Sequence, residues 1–173
     1  MLTVSIHQDN VFPPNSGSLD ERGEGDGFGY AINVPLPPGT GDGGYVHAVD
    51  EVVVPALRAF RPDLVLVACG FDANAMDPLA RQMVTSEGYR AITRRLLDVA
   101  AELCGGKVAM SHEGGYSPVY VPFCGLALLE TMSGAEPFPD AFLPIVSGFA
   151  GQDLQDNQRA VVAAAAKLVA DLG

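Results

Sequence analysis

The stretch Leu64-Val65-Leu66-Val67-Ala68-Cys69-Gly70-Phe71-Asp72-Ala73 decides the fold. Its first six residues form a continuous apolar run, the pattern of a parallel strand buried on both faces. Gly70 follows, and Asp72 then emerges at the top edge of the sheet. Working outward, residues 2–6 read as a second buried strand, Tyr30 to Val34 as a short one, and Lys107 to Ser111 as another. Residues 45–60 place Val49, Val52, Val53, Ala56, Leu57 and Phe60 at helical spacing, with Pro55 expected to kink that helix. Residues 86–104 predict a helix capped by Thr85 or Ser86, with Ile92, Leu96, Val99 and Leu103 as its apolar face and Gly105-Gly106 as its stop. Helices near 118–133 and 156–171 complete the chain. Strand alternating with helix is the order of an α/β protein with a parallel sheet.

In such a sheet the ligand site lies beyond the carboxyl ends of the strands. Three strand ends deliver polar residues there: His7-Gln8-Asp9-Asn10, Gly70-Phe71-Asp72-Ala73 and His112-Glu113-Gly114-Gly115-Tyr116. Between the first strand and Tyr30 runs a loop, residues 9–29, rich in Pro, Gly, Asn, Ser and Asp. Loops of that length inside a compact domain are usually functional.

Composition bounds the rest. The 173 residues carry 10 Lys and Arg against 21 Asp and Glu, a formal net charge of −11. That excess argues against a nucleic-acid partner, which needs clustered cations, and favours cationic ligands through long-range steering. The apolar fraction of 48% and mean hydropathy of +0.20 exclude a disordered chain. No apolar run approaches the length of a membrane span, and no signal-peptide pattern opens the sequence, so a cytoplasmic protein is expected. Cys69, Cys104 and Cys124 are far apart in apolar contexts, where buried thiols are expected rather than a disulfide or zinc framework.

The residues alone leave their chemistry open. Asp72 could cap the next segment or bind a metal with equal warrant, or act as a base. Tyr116 could donate a hydrogen bond to a developing oxyanion, but a glycine turn followed by a half-buried phenol explains the spacing better. His7 and His112 read as hydrogen-bonded structural residues; with Asp72 they could make three zinc ligands, though no spacing demands it. Gly23-Glu24-Gly25-Asp26-Gly27-Phe28-Gly29 is a flexible acidic loop, not a phosphate cradle.

Four segments in one order nevertheless resemble a single family: Ser5-Ile6-His7-Gln8; Phe12-Pro13-Pro14-Asn15-Ser16-Gly17; Gly70-Phe71-Asp72-Ala73 with Asp77-Pro78-Leu79; and Glu113-Gly114-Gly115-Tyr116-Ser117. The chain resembles the zinc-dependent histone deacetylases, in particular the class II-like bacterial amidohydrolases, with acetylpolyamine amidohydrolases as relatives. The resemblance implies a three-layer α/β arginase-deacetylase fold with Zn2+ at the strand ends. It implies that Asp72 is a zinc ligand and that Tyr116 polarises the scissile carbonyl. It matches Phe12 to the wall of an acyl-lysine tunnel, and Leu79, Gly114 and Gly115 to its lining and floor. Ser5 and Ile6 match a structural K+ site, and Tyr30 a second one. The implied substrates are acylated lysines or polyamines.

The family's other two zinc ligands, an Asp-x-His motif, and its tandem-His general base have no counterpart among His7, His47 and His112. Residues 1–173 are therefore expected to be a single partial domain, the C-terminal portion of a deacetylase domain, inactive alone. The alternative is a non-catalytic remnant that binds acylated amines, or that oligomerises or pairs with a complementing chain through an open strand edge.

Overall fold

Two pairs of parallel strands carry the fold. β1 (Thr3–Gln8) lies beside β2 (Ala31–Leu36), with Thr3 opposite Ala31 and Gln8 opposite Leu36. β3 (Val65–Cys69) lies beside β4 (Val108–His112), with Val65 opposite Val108. These positions come from a computed structural model that describes residues 1–172. Parallel neighbours need long crossovers. Residues 9–30 make the first crossing, and the helix between β3 and β4 makes the second.

Hydrogen bonds at the strand ends fix which way each backbone points. Thr3 N donates to Tyr30 O and Asp9 N to Leu36 O, so the odd residues of β1 face β2 and the even residues of β2 face β1. Pro35 therefore turns its missing N–H toward the outer edge of β2, the position a strand proline tolerates. That is why the strand continues to Leu36 rather than ending at Val34.

The helices lie on one face of the strands. α1 (Asp42–Ala48), a π turn (Val49–Val53) and α2 (Val54–Phe60) follow one another directly. The expected kink at Pro55 is thus taken up by the wider π turn before it, with Pro55 in the first turn of α2. α3 (Ser86–Cys104) is capped by Thr85, whose Oγ1 accepts from Gly88 N at 3.2 Å, and it stops at Gly105 with φ of 65°. α4 (Val121–Ser133), the single turn α5 (Leu143–Val146) and α6 (Asp156–Leu168) follow. Ile32, Val34 and Leu36 are buried in one cluster with Ala48 of α1, Val52 of the π turn, and Val162 and Ala165 of α6. Val65 packs separately against Ala100 and Cys104 of α3.

Two expectations change here. β3 is not buried on both faces. Val65 is buried, but Leu66, one residue on, is 71% exposed. Helices cover only the Val65 face, while the face carrying Leu66 and Ala68 is open. The opposite face of β1 and β2 is crossed by the long loop, where Asn33 Nδ2 donates to the carbonyls of Ser18 and Glu21 at 3.1 Å each. The apolar face of α3 is also rotated from the one expected. Ile92 and Leu103 are half-buried, whereas Tyr89, Arg90, Thr93 and Ala100 are buried beside Leu96 and Val99. Arg90 can be buried because its guanidinium reaches Glu130 of α4 at 2.7 Å, an ion pair shielded on both sides. Of the thiols, Cys104 and Cys124 are buried as expected, and Cys69 is only partly covered.

Candidate functional site

The ends of β3 and β4 are stitched together beyond the strands. Glu113 N donates to Cys69 O at 3.1 Å, and Phe71 N donates to Gly114 O at 2.8 Å. The buried Asn74 then folds the chain back: its Nδ2 donates to Phe71 O at 2.6 Å and its Oδ1 accepts from Met76 N at 2.8 Å. These bonds put Asp72 between two glycines. A Cβ on Gly70 would lie 2.7 Å from Asp72 Oδ1, and one on Gly114 would lie 2.8 Å from Oδ2. Both positions need glycine because the carboxylate fills the space that a side chain would take.

The same imaginary Cβ on Gly114 would lie 3.4 Å from the Tyr116 hydroxyl. The Asp72 carboxylate and the Tyr116 phenol thus both lie against Gly114. No side-chain ion pair of the described residues involves Asp72. Burial pushes its carboxyl above the usual range and the nearby Asp77 charge adds to this, against backbone N–H groups that pull the other way. A half-buried carboxylate without a cation is poised to accept one. Its neighbours respond to it as well: burial and then the Asp72 charge push the Cys69 thiol up to about 11 and raise the Tyr45 phenol.

Asp77 organises the mouth of this site, a role that no local sequence pattern signals. Its Oδ1 accepts from Leu79 N at 2.9 Å and from Ala80 N at 3.1 Å, which closes its own loop. Its Oδ2 accepts from Tyr116 N at 2.8 Å, which ties that loop to the one carrying the phenol. The first link is a turn that the Asp-Pro pair suggests; the second spans 39 residues and exists only in the folded chain.

The other expected site residues are distributed as follows. Phe12 is 86% exposed on the long loop, and Leu79 and Tyr116 are also exposed. Gly115 has φ of 128° and packs so closely on Phe71 that a Cβ would lie 2.9 Å from Phe71 Cβ. Gly114, Gly115, Tyr116 and Asp72 are brought together, and Asp77 holds Leu79 beside them. Ser5 bonds His7 Nδ1 at 2.8 Å, and His7 Nε2 meets Gly17 O at 2.9 Å, the structural role expected of His7. Tyr30 precedes β2, at the opposite end of the strands from Asp72, with its ring against Phe60. It is not gathered with Ser5 and Ile6. His112 closes β4 and rests its ring on Phe71. Among the described residues no three His, Cys, Asp or Glu side chains are grouped to hold a metal. Asp72 therefore fits a metal as one donor, and a closed tetrahedral set needs four. No helix among them is long and apolar enough to cross a membrane.

Parallel strands whose carboxyl ends present a carboxylate, paired glycines and a phenol define an α/β domain with its polar residues gathered at the strand ends. Comparison with known proteins makes the class specific. Residues 1–132 match the family profile described as histone deacetylase domain, and the chain belongs to that family. It is 50% identical over 134 residues to a histone deacetylase-like amidohydrolase of Pseudomonas aeruginosa, covering 78% of this chain and 35% of that protein. It is 47% identical over 134 residues to histone deacetylase 8 of Arabidopsis thaliana, covering 75% of this chain and 36% of that one. The crystal structure of the HDA15 HD domain superposes with a TM-score of 0.81 at 31% identity, covering 98% of this chain and 44% of the other. The fold is thus the α/β fold of histone deacetylases. The chain spans about a third of the length of these two curated relatives.

Proposed function

We propose that residues 1–173 are the C-terminal portion of a cytoplasmic zinc-dependent amidohydrolase that removes acetyl or other acyl groups from lysine side chains or polyamines. The observation that carries this reading is the convergence of Asp72 and Tyr116 on Gly114. Asp72 would hold the metal as one of its ligands, the remainder coming from outside residues 1–173. Zinc, when bound, supplies Lewis acidity toward the amide carbonyl.

The chain's own residues do the rest. The Tyr116 hydroxyl donates a hydrogen bond to the carbonyl oxygen as it gains negative charge, a contact stronger in the transition state than in the ground state. Gly114 and Gly115 would present bare backbone as the floor of the acyl-lysine tunnel. Phe12 and Leu79 offer apolar surface to the methylene stem of the substrate. Asp77 fixes the backbone of Tyr116. The potassium roles of Ser5, Ile6 and Tyr30 belong to the same proposal.

One carboxylate does not retain zinc or activate water, so the isolated chain should purify with well under one equivalent of zinc and leave an acetyl-lysine peptide intact. A full equivalent of zinc with turnover refutes the reading. In a reconstituted domain, Tyr116→Phe should lower kcat about a hundredfold, the usual cost of one oxyanion donor, at unchanged zinc content. Undiminished turnover would remove Tyr116 from the mechanism. The reading as a non-catalytic remnant is favoured by one feature, the free edge of β1, and it predicts acyl-amine binding or a stable hetero-complex without turnover.

A further inference from the structure

On its carboxyl side Asp72 is held by a ladder of short segments outside the sheet. Val84 N donates to Ala73 O and Ala75 N to Val84 O, both at 3.0 Å, and Asn74 and Val84 form a parallel bridge. The opposite edge of the same segment bonds residues 39–41: Gly39 N donates to Arg81 O at 2.6 Å and Met83 N to Thr40 O at 2.8 Å, with Gly41 bridged to Met83. A fourth segment closes the ladder, since Gly41 N donates to Gly151 O at 3.1 Å and Gly43 N to Gln152 O at 2.8 Å. A parallel ladder continues beyond Thr40 with a rung between Asp42 N and Met83 O. The Gln152 side-chain amide engages both atoms of that rung. Its Oε1 accepts from Asp42 N at 3.2 Å and its Nε2 donates to Met83 O at 2.7 Å.

We propose that Gln152 is a positioning residue for the Asp72 carboxylate: its amide clamps Asp42 to Met83, and the neighbouring Val84 carries that restraint to Ala73 and so to Asp72. That a carboxylate so placed is a metal ligand rests on the function proposed above; the clamp does not. Gln152 lies beyond residues 1–132, the part of the chain that matches the family profile.

Three features make the clamp specific. An amide offers an acceptor and two donors, whereas a carboxylate only accepts and an alkyl group does neither. The second Nε2 hydrogen is used as well, on the carbonyl of the buried Val146 at 3.2 Å, which fixes which end of the amide faces Asp42. The segments also approach closely enough to require glycine. A Cβ on Gly41 would lie 2.6 Å from Gln152 Oε1, one on Gly43 2.5 Å from Leu154 N, and one on Gly151, where φ is 100°, 2.5 Å from Gly39 O. At the far end the Asp72 carboxylate has no slack either, being wedged between Gly70 and Gly114. Val84 is fully buried, so water does not replace a loosened rung there.

The test compares Gln152→Leu and Gln152→Glu with the unsubstituted 173-residue chain by amide hydrogen exchange and NMR. At pH 7 the introduced carboxylate keeps the acceptor for Asp42 N but donates nothing to Met83 O. Both variants should speed exchange of the Val84 and Ala75 amides about tenfold, the worth of a lost hydrogen bond. Both should also shift the Gly114 amide resonance, which reports the carboxylate lying against it, while the Leu96 and Val99 amides within α3 keep their rates. The decisive arm is pH. A protonated carboxyl has an O–H donor as well as an acceptor, so as pH falls through about 4 Gln152→Glu should return to the rates and the Gly114 shift of the unsubstituted chain at the same pH. Gln152→Leu should not recover. Unmoved Val84, Ala75 and Gly114 amides overturn the proposal. Uniform acceleration that includes α3 overturns it too, because a residue that merely stabilises the fold acts on every amide. So does a Gln152→Glu chain whose introduced carboxyl has titrated without recovery, and this arm stands even if Gln152→Leu does not fold. None of these readings uses metal or substrate, so they decide the positioning alone; the deacetylase reading falls instead on the zinc and Tyr116→Phe measurements above.

Discussion

Asp77→Asn separates the bond that spans two loops from the bonds within one. The carboxylate uses both oxygens, one on Leu79 N and Ala80 N and the other on Tyr116 N. An amide has one oxygen. If it stays on the loop of Leu79 and Ala80, its NH₂ faces the Tyr116 N–H, donor against donor. A hydrogen bond to a charged group contributes about 1.5–3 kcal/mol, and the low end applies because Tyr116 is half exposed and water replaces part of the loss. A loss of about 1.4 kcal/mol is tenfold in an equilibrium, so the Tyr116 amide should exchange about tenfold faster, with strands β3 and β4 unaffected. Removing the charge has a second consequence. Asp77 raises the Asp72 carboxyl, so its replacement by Asn should lower that titration midpoint, while burial, the larger cause, keeps it above the ordinary range. Carboxyl carbon NMR reads the midpoint, and exchange mass spectrometry or NMR reads the amide. An unchanged Tyr116 amide together with an unchanged Asp72 midpoint would refute the link between the two loops.

Three further outcomes can be checked by urea unfolding of the chain. Tyr120 is fully buried, and its hydroxyl accepts from Ser86 N at 3.0 Å at the start of α3. Tyr120→Phe leaves that N–H unmet and should cost about 1–3 kcal/mol; a change within error would show that another acceptor takes over. A Cβ on Gly88 would collide with Asp42 Oδ1 and lie 2.9 Å from the buried Val84 Cγ1. Gly88→Ala should therefore destabilise by about 1–3 kcal/mol through overpacking, in spite of the better helix propensity of alanine. The Arg90 guanidinium, and then Phe138 N, hold the Glu130 carboxyl below its usual value. The stability this supplies is present above the ordinary carboxylate range and is lost as pH falls through the depressed folded value. Glu130→Gln should flatten the acid limb of the stability profile, and an unaltered limb would assign the acid sensitivity to other carboxylates.

Much of this protein is legible in short windows. Thr85 and Gly105 bound α3 because a hydroxyl cap and a left-handed glycine are local devices acting within one turn. Asp72 and Tyr116 reach the sheet's top edge because each follows an apolar strand by a few residues, and the ordered motifs around them carry the family resemblance. Where windows failed, a partner distant in sequence was the cause. Arg90 lies on the buried side of α3 because Glu130, 40 residues on, comes to meet it. The apolar run of β3 reads as buried on both faces because periodicity records the affinity of a strand for apolar neighbours, not whether each neighbour is present.

By itself, then, the sequence determined the strands and the longer helices, though not the short turn α5, and which polar residues leave the strand ends. Hydrogen bonds within a turn and hydrophobic periodicity suffice for both. Only the tertiary structure decided that Asp72 and Tyr116 meet at Gly114, that Asp77 joins their loops, and that β1 pairs with β2 and β3 with β4. Each of these is a relation between segments far apart in the chain, set by register and packing, which no local pattern encodes.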